Sequence, residues 1–101
     1  MSFKHNKATD RLFQVIMNLN SLDECYDFFT DICTVKELQD MSQRLSCAIL
    51  LGKGASYQNI SNEIGLSAAT IGRVSRCLNY GSGGYERALE IIKENNIDEE
   101  V

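Results

Sequence analysis

The sequence predicts an all-α chain, and three observations carry that prediction. There is no proline among its 101 residues. Apolar residues recur three and four apart rather than alternating. Helix-starting pairs and glycines punctuate those runs where helices begin and end. About six short helices and no strand result. The first is expected over Asp10 to Asn20, with Leu12, Val15, Ile16 and Leu19 on one face. Ser21-Leu22-Asp23-Glu24 reads as a capping box opening a helix that carries Leu22, Cys25, Phe28, Phe29 and Ile32. Thr34-Val35-Lys36-Glu37 is a second box, opening a longer helix with Leu38, Met41, Leu45, Ala48 and Ile49 as its stripe. Gly52 and Gly54 are expected to end it as left-handed caps. A short helix follows from about Gln58 to Ile64, then the turn Gly65-Leu66-Ser67. Ser67 caps a helix to about Asn79, and the Gly81–Gly84 loop precedes a last helix from Tyr85 to about Asn95 with Ala88, Leu89 and Ile92 on one face. The acidic tail over 98–101 is expected to fray.

Composition removes several function classes. A chain this long is expected to form one domain over 1–101. Its 44% apolar content suits a globular chain. No run of about 18 apolar residues provides a transmembrane helix. Met1-Ser2-Phe3-Lys4-His5-Asn6-Lys7 lacks the apolar core of a signal peptide, so a cytoplasmic chain with reduced thiols is expected. Cys25, Cys33, Cys47 and Cys77 include no C-x-x-C pair, and His5 is the lone histidine. No metal site is therefore expected, and the cysteines read as small core hydrophobes. No catalytic residue emerges, because a single histidine near the N-terminus is a poor general base and no nucleophile–base set can be assembled. No G-K-[ST] follows the glycine cluster, so it reads as a turn rather than a phosphate loop.

The first two helices carry Leu12, Phe13, Ile16, Met17, Phe28 and Phe29, more apolar bulk than one narrow stripe holds. Helices apolar on several faces are buried on several faces. A small monomer cannot do that, so residues 10–52 are expected to form a dimerisation core.

Residues 56–79 read as a helix-turn-helix. Ser61 is the small residue where two steeply crossing helices touch, and Gly65 tolerates the positive φ of the turn. Ile60, Ile64, Leu66, Ile71 and Val74 supply the inner faces, with Leu78 continuing them. Ser67, Ala68 and Ala69 give the second helix a cap and a slim start for a major groove. Ala69, Arg73 and Arg76 are spaced i, i+4, i+7, with Gly72 and Thr70 beside them, so a small, basic face points outward. Arginine reaches guanine edges bidentately or binds phosphate. Lys53, Ser56 and Gln58 stand near the start of the first motif helix, where the DNA backbone would be held. The competing reading is a helical protein–protein interaction module that binds no DNA.

The acidic total of −4 argues against nucleic acid only until it is counted by segment. Residues 1–40 are net −3, residues 41–85 net +3 and residues 86–101 net −4. The basic excess lies on the segment that holds the motif, and DNA affinity follows local phosphate neutralisation.

From Leu12 to Leu89 the chain resembles the Trp repressor superfamily, and within it the YerC/YecD-type branch. The resemblance rests on Ala69-Thr70-Ile71-Gly72-Arg73-Val74-Ser75-Arg76-Cys77-Leu78 and Tyr80-Gly81-Ser82-Gly83-Gly84-Tyr85. Asp31-Ile32-Cys33-Thr34, Gln43-Arg44 and Ala55-Ser56-Tyr57-Gln58-Asn59-Ile60 add to it. It implies an intertwined all-helical homodimer and a transcriptional regulator, a repressor by family habit, on a pseudo-palindromic double-stranded operator. In the tryptophan-binding repressor an arginine from the core helix and one from the recognition helix hold the corepressor. Arg73 matches the second; Gln43 falls on the first, with Arg44 beside it. Gln43, Arg44 and Arg73 are therefore the candidate effector-binding residues, and the departure at Gln43 argues against tryptophan, leaving another small effector or none. Gly72 replaces a larger hydroxyl residue, which implies a different operator.

Overall fold

The computed structural model describes residues 3–101. Its helices are α1 (Lys7–Met17), α2 (Leu22–Ile32), α3 (Val35–Gly52), α4 (Tyr57–Ile64), α5 (Ala68–Tyr80) and α6 (Gly84–Glu94). No strand occurs among the described residues. Contacts divide the chain into two compact units, residues 1–39 and 40–101, with the division falling inside α3.

In the first unit, α1 starts three residues before the expected Asp10 and stops at Met17. The reason is a reciprocal cap: the Asn6 side chain accepts from the Thr9 N–H at 2.9 Å, and Thr9 Oγ1 accepts from the Asn6 N–H at 3.3 Å. Asparagine with threonine satisfies the same orphan donors as the usual Ser/Thr and Glu pair. At α2, Ser21 Oγ accepts from the Glu24 N–H at 3.1 Å, as expected. The Glu24 carboxylate, however, reaches past Ser21 to the Asn20 N–H at 2.7 Å. Neither α1 nor α2 contains a buried residue. Met17, Leu22 and Tyr26 are 81%, 74% and 61% exposed, and Phe13 is exposed as well. Phe28 and Phe29 are half-buried, their rings edge-to-face at 5.5 Å.

At the start of α3 the second capping box is complete. Thr34 Oγ1 accepts from the Glu37 N–H at 3.1 Å, and Glu37 accepts from the Thr34 N–H at 2.8 Å. These bonds favour the ionised carboxylate and hold Glu37 below its usual value of 4.5. A depressed folded-state pKa stabilises above the ordinary value and loses that contribution as pH falls through the lowered one. A Glu37→Gln chain is therefore expected to show a shallower fall of stability with pH below about 4.5. Acid titration of the helical circular dichroism of both chains checks this.

The end of α3 differs from expectation in one respect. Gly52 stays helical, and only Gly54 is left-handed, with φ +84. The Ala55 N–H bonds the Leu50 carbonyl at 3.0 Å and the Gly54 N–H bonds the Leu51 carbonyl at 3.0 Å. This pairing is a Schellman motif, whose left-handed position is Gly54. A Cβ at Gly52 would lie 3.3 Å from Leu89 Cδ1, so the residue is small where α6 passes.

The core of residues 40–101 gathers Cys47 and Ala48 of α3, Ile60 of α4, and Ile71 and Val74 of α5. Leu50, Leu51, Ala55, Ile64, Leu66 and Tyr85 pack around it. Of the four cysteines read as core residues, only Cys47 is buried; Cys25 and Cys33 are half-buried and Cys77 is exposed. Burial pushes the Cys47 thiol up, away from reactive thiolate. A thiol reagent added to the folded chain is expected to modify Cys77 well before Cys47, which peptide mass mapping would show.

Candidate nucleic-acid interface

The site is built by α4, its turn and α5. Ser56 caps α4 by accepting from the Asn59 N–H at 3.2 Å. Gly65 stops it in the left-handed region, φ +72, with its N–H on the Ser61 carbonyl at 2.8 Å. Ser67 then caps α5, accepting from the Thr70 N–H at 3.2 Å. Three residues thus separate two capped helices. Ile60 and Ile71 are fully buried where α4 meets α5, and Val74 is 2% exposed. Ser61 at the crossing and Leu78 further along α5 are half-buried.

Locking that inner side leaves the outer side to solvent. Ala68, Ala69, Arg73 and Arg76 are exposed, and Thr70 and Gly72 are half-buried. A Cβ built on Gly72 would meet nothing within 4 Å. Glycine inside a helix costs about 1 kcal/mol against alanine, and no internal packing accounts for it here. The backbone-holding candidates are exposed too, each already engaged. Ser56 and Ser67 serve as caps, Gln58 donates to Asn62 Oδ1 at 3.0 Å, and Lys53 Nζ donates to the Glu99 carbonyl at 3.4 Å.

Arg73 also faces a second feature. A cavity of about 190 Å³ is lined by Arg44, Thr70, Arg73, Val74, Cys77 and Tyr85. Two of the three candidate effector residues, Arg44 and Arg73, therefore meet at one cavity. Gln43 does not line it; its side-chain amide donates to the Ile64 carbonyl at 3.4 Å, serving the C-terminal end of α4. Tyr85, Thr70, Val74 and Cys77 were not anticipated there. Burial pushes the Tyr85 phenol up, while the Arg44 and Arg73 guanidiniums pull it down. The lining thus includes two guanidiniums, the Tyr85 phenol and Thr70, a donor set suited to a small anion.

The family model for the Trp repressor protein matches residues 7–93. The chain belongs to the Trp repressor family. Within it, the chain is 49% identical over 92 residues to the uncharacterized protein YerC of Bacillus subtilis strain 168, covering 91% of this chain and 88% of that one. A TrpR-like protein from Eubacterium eligens superposes with a TM-score of 0.84 at 45% identity, over 87% of this chain and 91% of that chain. A Staphylococcus aureus chain, provisionally described as a Trp repressor, gives 0.82 at 42% identity, over 93% and 91% of the two chains. The all-α fold and the resemblance to the Trp repressor family are thereby borne out.

Proposed function

We propose that this Trp repressor family member is a cytoplasmic, homodimeric, sequence-specific DNA-binding transcriptional regulator acting as a repressor. The observation that carries the reading is the outer face of α5: Arg73 and Arg76 stand exposed beside Ala68, Ala69 and Gly72, on a helix whose opposite side is locked into the core. A slim, basic, rigid helix suits a major groove. Thr70 and Ser67 flank that face, and Lys53, Ser56 and Gln58 hold the phosphate backbone. The bare α1 and α2 support the dimer. Large exposed apolar surface on a chain this small marks a protein interface, and a second copy covers it with matching surface.

Selecting genomic fragments bound by the purified chain tests the reading. Enrichment of a two-fold-related sequence is the expected result. Absence of enrichment, with capture of a protein partner instead, would leave the helical interaction module standing. Light scattering at micromolar concentration is expected to give about twice the 11.3 kDa chain mass; a monomer would remove the dimer.

The cavity supports an effector reading of the same regulator. Its two guanidiniums beside a phenol suit a carboxylate or phosphate, and no resident cofactor is invoked. Millimolar screening by thermal shift is expected to find a small anion that raises the melting temperature of the parent but not of Arg44→Ala.

A further inference from the structure

We infer that the acidic segment Asp98–Glu100 docks on Lys53 and acts as a built-in competitor for the DNA backbone. The inference rests on the DNA-binding reading and adds a regulation to it. In the structure the segment turns back toward the residues that follow α3. After α6 ends at Glu94, Asn96 takes a left-handed φ of +52, and the Ile97 N–H bonds back to the Ile92 carbonyl at 2.9 Å. This second Schellman-type turn redirects the chain. Asp98 Oδ1 then accepts from the Glu100 N–H at 2.9 Å, tightening the segment. Glu99 becomes half-buried, and its carbonyl accepts from Lys53 Nζ at 3.4 Å.

Lys53 stands three residues before Ser56, the cap of α4, and is the lone lysine of the net-positive segment 41–85. The tail that reaches it carries three carboxylates in a row. A phosphate approaching the same ammonium meets a partly engaged donor set and a local negative field. The carbonyl takes one of the three N–H donors of Lys53, and the three carboxylates set a negative field that a phosphate on the remaining donors must overcome. The device lowers affinity for every duplex by one factor, so it sets a threshold for binding without altering sequence preference.

The test uses four full-length chains: the parent, Asp98→Asn/Glu99→Gln/Glu100→Gln, Lys53→Gln, and the combination. Affinity for one duplex is measured by fluorescence anisotropy at about 50 mM salt, where phosphate contacts are least screened. Amide hydrogen exchange is followed on the same chains without DNA. Neutralising the tail is expected to tighten binding about three- to tenfold, the scale of relieving a few exposed like-charge interactions with phosphate at low salt. That gain is expected to vanish in the Lys53→Gln background, and Lys53→Gln alone is expected to speed exchange at Ile97 and Glu100. An equal gain in both backgrounds, or no gain, overturns the docked competitor while the DNA reading stands. Failure of all four chains to bind duplex overturns the DNA reading and the competitor with it.

Discussion

Replacing Arg76 with alanine is expected to weaken duplex binding by about 30-fold or more while leaving helicity and unfolding midpoint unchanged. Arg76 is exposed on the outer face of α5 and contributes nothing to the core of Ile60, Ile71 and Val74. One arginine contact to a base edge is worth about 1–3 kcal/mol. A two-fold dimer makes that contact twice, so about 2–6 kcal/mol is lost, and each 1.4 kcal/mol is tenfold. Arg73→Ala is the less clean probe, because Arg73 also lines the cavity with Arg44 and Tyr85. A loss with Arg76→Ala that is uniform across sequences would assign Arg76 to phosphate; a loss confined to one base position would assign it to readout. Unchanged binding would remove Arg76 from the interface.

Ile71→Ala is expected to cost about 2–5 kcal/mol of stability, the range for truncating a buried aliphatic side chain to alanine. Ile71 is fully buried and joins α5 to Cys47 and Ala48 of α3 and Ile60 of α4. In a domain of about 100 residues each 1 kcal/mol moves the melting temperature about 4–8 °C, so a fall of roughly 10 °C or more follows. Arg76→Ala and Ile71→Ala thus separate the two sides of one helix. The first acts on binding with no change in melting, the second on melting first. A thermal melt by circular dichroism checks it; a shift under about 4 °C would mean that the core does not depend on Ile71.

The helix starts at Ser21, Thr34 and Ser67 and the turn at Gly65 were legible because each uses a residue whose short polar side chain or missing Cβ has one local job. Asn6 caps as well as serine does, but Thr9 stands where the usual Glu or Gln partner would signal the box, and Asn96 takes a left-handed position where glycine is commoner, so the start of α1 and the turn after α6 are not legible. The cavity was half legible. Thr70, Arg73, Val74 and Cys77 are spaced i, i+3, i+4 and i+7, one face of a helix. Tyr85 reaches that face across the Gly81–Gly84 loop, and no local pattern announces it. Gln43 and Arg44 differ by one step of about 100° around α3. Packing against the end of α4 chose Gln43 for the Ile64 carbonyl and left Arg44 for the cavity.

The salt dependence of duplex binding tests the central claim most directly. Anisotropy titrations of the parent chain on a selected duplex, from about 50 to 200 mM salt, give the slope of log affinity against log salt. If α5 and the turn before α4 grip phosphate through Lys53, Arg73 and Arg76 on both heads, affinity falls steeply along a straight line. Arg76→Ala flattens that line if its guanidinium holds phosphate. An affinity indifferent to salt, or no duplex binding at about 50 mM, would contradict a DNA-gripping helix pair.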